Sequence, residues 1–235
     1  MNTMQHVSYN RIALIGGIGT MLLFPATTLI GWQRSPLSGS PDEVFAAYFV
    51  ANQANVLVMA LIVAFHSLTR LTFAAGLCGV LRQAEGGGAT LTGLALACAA
   101  VEVAIEMVAF TVLSTGARLA GRDADPGVLG AIGSAAQDLM YMHGIPLALF
   151  AILASIVILR TGVLPRWLGW LGLAAGIVLE VSALDFAVSH EALGALSSIG
   201  AFLLFTPWML ATGVIMFRRA GRGFGEPPAQ VETTA

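Results

Sequence analysis

The chain has 235 residues, 57% of them hydrophobic and only 10% charged, with a formal net charge of −2. A water-soluble domain carries roughly 25% charged residues, so this sequence cannot cover a water-facing surface, and its apolar excess must meet lipid. The charge balance, with no basic tract, excludes nucleic acid as a partner. All eleven cations are arginine, and the absence of lysine excludes Schiff-base chemistry. Cys78 and Cys98 both lie in apolar runs and read as buried thiols rather than as a disulfide or metal pair.

A bilayer core about 30 Å thick takes about 20 apolar residues in a helix. The first such run is Ile12 to Trp32, behind Arg11; no small-residue cleavage site follows it, so it reads as a span rather than a signal peptide. A polar connector from Gln33 to Glu43 holds Pro36, Gly39 and Pro41, and Asp42 and Glu43 stand where a helix N-terminus favours negative charge. Val44 to Arg82 is helical in pattern but too long for one crossing. Val44 to Asn55 is expected near the interface, and Val56 to Leu81 across the bilayer. Glu85 to Gly88 is a tight turn, Leu91 to Leu113 the third span, and Thr115 to Gly133 an expected loop. The fourth span runs from about Ala135 to Leu159, the fifth from Trp167 to Val188 after a turn at Arg160 to Arg166, and the sixth from Leu193 to Phe217. Gly221 to Ala235 is polar and expected to be disordered.

Six spans put both termini on one side. Arg11, Arg82, Arg160, Arg166, Arg218, Arg219 and Arg222 fall on that side, whereas Arg34, Arg118 and Arg122 share the other with Asp42, Glu43, Asp123, Asp125 and Glu191. The positive-inside rule makes the first side cytoplasmic. Trp32, Trp167 and Trp170 stand at span ends, where indole rings favour the interface. Gly169, Gly172 and Gly176 read as intramolecular packing before a face for a homo-oligomer, which stays open. No internal repeat supports an inverted-repeat transporter.

Ionisable residues at membrane depth are the informative ones, because each must face the bundle interior and find a partner. His66 and Arg70 share one face of span two, continued outward by Asn52, Asn55 and Met59. Glu102 and Glu106 share one face of span three; Gln137, Asp138 and His143 lie on span four, and Glu180 and Asp185 on span five. Counting residues from the span ends brings these groups to similar depth in the outer half, which predicts one shared polar cavity opening outward. A purely structural ion-pair network is the competing reading. It is weakened because five carboxylates meet one arginine and two histidines, so that some must hold a proton or bind a cation.

Three chemistries can use such a cavity: general acid catalysis on a lipophilic substrate, a metal held by imidazole and carboxylate, or proton relay in a carrier. No HExxH or paired-histidine motif appears. The same-helix spacings are His-x3-Arg and Glu-x3-Glu, so no metal and no cofactor is assigned. Asp138 and His143 are roughly 140° apart around a helix and cannot share a small site without distortion. Pro146 and Pro207 fall inside expected helices; Pro146 frees the Met142 carbonyl, next to His143.

The stretch Thr161-Gly162-Val163-Leu164-Pro165-Arg166-Trp167-Leu168-Gly169-Trp170-Leu171-Gly172 resembles the turn between spans four and five of a bacterial multi-pass membrane family, the domain-of-unknown-function class numbered 4386. The long second helix ending at Leu81-Arg82 and the polar start of span four at Gln137-Asp138 are similar too, and the likeness covers Arg11 to Arg219. Such members often carry histidine before the span-four aspartate, where this chain has Gln137, with His143 later. The resemblance implies a multi-pass helical fold and no activity.

The expectation is an all-α, six-helix polytopic bundle in the bacterial cytoplasmic membrane, residues 1–220, with both termini inside and the lipid bilayer as partner. It would bind or process a small or lipophilic molecule, as a proton-linked carrier or sensor. The alternatives are an enzyme of isomerase or terpene-cyclase type and a structural accessory subunit. Glu102, Glu106, Asp138 and Glu180 are the candidate acid–base residues, and His66, Arg70, His143, Asp185 and Asn55 the candidate substrate contacts.

Overall fold

In the computed structural model, residues 3–29, 35–183 and 200–222 are described, and among them the chain is helical with no strand. Among the described residues six α-helices follow in order: α1 (Thr3–Leu29), α2 (Asp42–Glu85), α3 (Thr90–Ala120), α4 (Pro126–Thr161), α5 (Arg166–Ala183) and α6 (Thr206–Arg222). A π-helical turn, Gly200–Phe205, leads into α6. The expected residues Trp32, Arg34, Asp185 and Glu191, and most of the C-terminal tail, lie outside the described residues.

Three of these helices, α2, α3 and α4, are long and apolar enough to cross a membrane, and Arg11–Ala26 of α1 is a shorter apolar stretch. Their burial pattern is the reverse of a soluble bundle. On α2, Leu61, Phe65 and Leu68 are 61%, 57% and 50% exposed, whereas His66 and Arg70 are 3% and 6% exposed. Apolar side chains turned outward and charged ones turned inward suit a hydrocarbon surrounding.

The helix ends follow local chemistry. At the α2–α3 turn, Gly86 and Gly87 take φ of 66° and 50°, the left-handed region that glycine enters at no steric cost. The Glu85 carboxylate then accepts the Leu91 and Thr92 amides, both at 2.9 Å, closing the open N-terminus of α3. The Asp125 side chain accepts the Gly127 amide at 2.9 Å, and Pro126 occupies the first turn of α4. These two devices shorten the expected Thr115–Gly133 loop to 121–125: the polar residues there belong to helices that extend beyond an apolar span.

Asn52 marks the change of direction in α2. Its φ of −122° and ψ of 17° break the helical run, and its side-chain amide donates to the Tyr48 carbonyl at 2.9 Å. A break was expected between Asn55 and Val56; it falls three residues earlier, at an asparagine that can bond its own backbone. Pro146 lies within the continuous α4, and Pro207 stands just past the junction of the π-helical turn with α6, where the Thr206 hydroxyl donates to the Ala201 carbonyl at 2.9 Å.

Packing follows chain order, with α1 on α2, α2 on α3, α3 on α4 and α4 on α5, and α6 returning to α1. The α1–α2 crossing is close. A Cβ on Gly76 would stand 2.5 Å from the Ala13 nitrogen and 2.7 Å from the Tyr9 carbonyl oxygen, so only glycine fits. Buried apolar side chains form two clusters. One surrounds Phe73, Leu77, Phe150 and Trp208; the other surrounds Phe45, Phe49, Met59 and Phe110.

Candidate functional site

The polar centre lies between these two apolar clusters. Along α2 the order is Val63, then His66, Ser67 and Arg70, then Phe73; along α3 it is Ala99, then Glu102 and Glu106, then Phe110. On α4, His143 falls between Met140 and Leu147. Counted from their helix ends, Arg70, Glu102 and His143 are roughly 22, 18 and 27 Å along their helices at helical rise. Water-excluding layers therefore lie on both sides of the charged groups.

Arg70 is the hub. Its Nε donates to Glu102 Oε2 at 3.2 Å, and its Nη2 donates to both Glu102 Oε1 and Glu106 Oε2. The Ser67 hydroxyl has two acceptors in reach, the Val63 carbonyl at 2.8 Å and Glu106 Oε2. It has a single proton, so it donates to one of the two at any moment. His143 Nδ1 bonds to the Met140 carbonyl. A carbonyl can only accept, so Nδ1 carries the hydrogen and Nε2 presents the lone pair. His66 stacks on Phe24 of α1 with ring centroids 5.4 Å apart, and both histidines lie within electrostatic range of Glu106. The donor atoms of Glu102, Glu106 and His143 all lie within 4.8 Å of one another.

Five of the nine candidate residues therefore meet: His66, Arg70, Glu102, Glu106 and His143. Asp138 instead accepts from Ser38 at 2.5 Å, and its neighbour Gln137 donates to Ser35 at 2.6 Å, so this interior stretch of α4 ties down the α1–α2 connector. The helical angle separating Asp138 from His143 accounts for the division. Glu180 sits on α5, which packs on α4 and the α6 region; its Oε2 is buried with no hydrogen-bond partner among the described residues, outside the Glu102–Glu106–His143 group. Asn55 is exposed, since α2 turns at Asn52 and carries it off the buried stripe. Asp185 lies outside the described residues.

Ser67 and Phe24 are contributors that the sequence reading passed over. Ser67 stands three residues before Arg70 on the same helix face, a signal available in the spacing. Phe24 had no such signal, because its contact depends on how α1 crosses α2.

Two carboxylates and one guanidinium leave the cluster with one surplus negative charge while both imidazoles are neutral. An uncompensated charge costs several kcal/mol in such surroundings, so one acid holds a proton or the group takes up one further positive charge. Space for a substrate is small. A cleft between α3 and α4, lined by Ala109, Phe110, Leu113, Ala136, Gln137 and Met140, encloses essentially no free volume, against the roughly 300–1,000 Å³ of small-molecule sites.

Comparison with protein families matches residues 16–217 to the family described as "Domain of unknown function (DUF4386)". No curated protein and no solved structure matches the chain.

Proposed function

The chain belongs to the DUF4386 family, and we propose that it is a six-span protein of the bacterial cytoplasmic membrane, with both termini inside, that carries or senses a small cation at the Arg70–Glu102–Glu106–His143 cluster. The observation that carries this reading is the surplus buried acid: Arg70 pairs with Glu102 and Glu106 together. Charges acting only as glue reach neutrality most cheaply in balanced pairs, because each unpaired ion adds its own desolvation cost. A surplus carboxylate between two apolar layers is matched instead to a cation that arrives and leaves. The narrow cleft favours an ion over a bulky lipophilic molecule, so the isomerase or cyclase reading draws no support from the geometry.

The six-span topology is supported by three helices of membrane length and by arginines concentrated at one end of the helices. The test is thermal unfolding of the purified, untagged protein in detergent with added Na⁺, K⁺, methylammonium, Mn²⁺ or Zn²⁺. A cation that binds only the folded state raises Tm. At least one of them is expected to stabilise the wild type and to lose that effect in Glu106→Gln. If none does, the reading falls. Uptake of the stabilising ion into proteoliposomes under an imposed proton gradient then separates a proton-linked carrier from a sensor.

A further inference from the structure

We infer that Glu102, Glu106 and His143 form a binding site for a first-row divalent metal ion of the Mn²⁺, Fe²⁺ or Zn²⁺ class. The inference deepens the reading above and rests on it, since it names the cation that the cluster takes up.

The donor set is the first argument. Two carboxylates on successive turns of α3 and one imidazole from α4 bring their ligand atoms within 4.8 Å of one another. Mixed imidazole and carboxylate donors suit manganese, iron and zinc, whereas calcium and magnesium favour all-oxygen sites. The state of the imidazole is the second argument. Because His143 Nδ1 donates to the Met140 carbonyl, the ring is held by its backbone contact with the Nε2 lone pair left to coordinate. Histidine ligands of metals are fixed in this way, through a hydrogen bond from the other ring nitrogen.

Charge is the third. With both acids ionised the buried group is one positive charge short, and no second cationic side chain joins Arg70 in it among the described residues. A divalent ion overshoots neutrality by one, so its remaining coordination position suits an anionic ligand or hydroxide. A tetrahedral site with bonds of about 2.1 Å has donors about 3.4 Å apart, and ligand atoms no more than 4.8 Å apart lie close to that spacing.

Arg70 sets the strength of the site. Its guanidinium occupies oxygens of both carboxylates, so an arriving metal must displace it from at least one of them. A site with a built-in competitor binds exchangeably, which suits cargo or a signal more than a permanently held cofactor.

The experiment uses the full-length, untagged protein in detergent, stripped by chelator and then dialysed against Mn²⁺ or Zn²⁺ alone. Bound metal is counted by elemental analysis. The expected result is stoichiometric binding that weakens at least about tenfold in Glu102→Gln and in His143→Ala, with the exposed Glu43→Gln binding like wild type. Circular dichroism checks that those variants fold, and Arg70→Met should bind metal more tightly than wild type and gain more thermal stability from it. Absence of stoichiometric Mn²⁺ or Zn²⁺, or binding unaltered in both Glu102→Gln and His143→Ala, overturns the inference. If Na⁺, K⁺ or methylammonium stabilises the protein while neither metal binds, the metal inference falls and the cation-carrier reading stands. If no cation binds, both fall.

Discussion

Arg70 reaches Glu102 through two guanidinium nitrogens, Nε and Nη2, and with Nη2 it also holds Glu106. One side chain thus carries the whole cationic side of a network in which all three residues are at most 6% exposed. The consequence is a lopsided dependence. Loss of either acid leaves Arg70 with a partner, whereas loss of Arg70 strands two carboxylates between apolar layers.

Arg70→Met is therefore expected to destabilise the fold by about 3–5 kcal/mol, the range for removing one partner of a buried pair. Glu102→Gln and Glu106→Gln should each cost clearly less. The triple variant Arg70→Met/Glu102→Gln/Glu106→Gln should recover part of the Arg70→Met loss, because it removes the stranded charges as well. Unfolding in mixed detergent, followed by circular dichroism, ranks the four proteins. An Arg70→Met protein as stable as wild type would contradict this account of the cluster.

The α1–α2 crossing gives a second prediction. Gly76 faces the backbone of Ala13 and Tyr9, and its Cβ position is already filled by main-chain atoms. Backbone cannot move aside as a flexible side chain can, so Gly76→Leu must push α1 away from α2. The cost is expected at or above the roughly 1–3 kcal/mol of ordinary overpacking. The same displacement moves Phe24 off His66, so the variant should lose cation-dependent stabilisation as well as stability. Thermal unfolding with and without the stabilising cation measures both effects.

How far the sequence could be read depended on the range of the interaction. The helices and the cluster partners within one helix, His66 with Arg70 and Glu102 with Glu106, follow from spacing alone. That His143 rather than Asp138 joins them could be anticipated only as an exclusion, from their angular separation around α4. The start of α4 was missed because Asp125 and Pro126 look like a loop by composition, yet together they cap and open a helix. Glu180 was grouped with the other acids by depth. Depth says nothing about which neighbour a helix faces, and α5 lies against α4. The Ser38–Asp138 bond spans a hundred positions in the chain, and no local pattern encodes it.

Glu85 gives a prediction in pH, at the turn that closes α2 onto α3. Partial burial tends to raise its carboxyl, but the Thr92 hydroxyl, the Thr92 and Leu91 amides and the nearby Arg160 outweigh that and hold it below the ordinary value of 4.5. A depressed folded-state value means that the ionised cap stabilises the protein fully above the unfolded carboxylate range. That contribution is lost as pH falls from about 4.5 through the lower folded value. Wild type should thus lose more stability than Glu85→Gln between neutral pH and pH values under the carboxylate range, and the two unfolding curves should converge at the acid end. Parallel curves would mean that the Glu85 charge does not cap α3.

The orientation of the bundle can be tested at the two short turns on either side of α3. If the arginine-rich end is cytoplasmic, the Gly86–Gly88 turn faces inward and the 121–125 turn faces outward. Cys78 is buried and Cys98 half-buried, so serine at both positions gives a background without thiols at little structural cost. Into it, Gly88→Cys and Arg122→Cys each place one thiol at an exposed turn position. A membrane-impermeant maleimide applied to intact spheroplasts should label the Arg122→Cys protein and spare the Gly88→Cys protein until the membrane is opened. Because α3 is the single helix between these sites, labelling of both from outside would mean that α3 does not span the bilayer. The opposite pattern would invert the bundle, moving Arg82, Arg160, Arg166, Arg218, Arg219 and Arg222 outside against the charge bias that set the orientation.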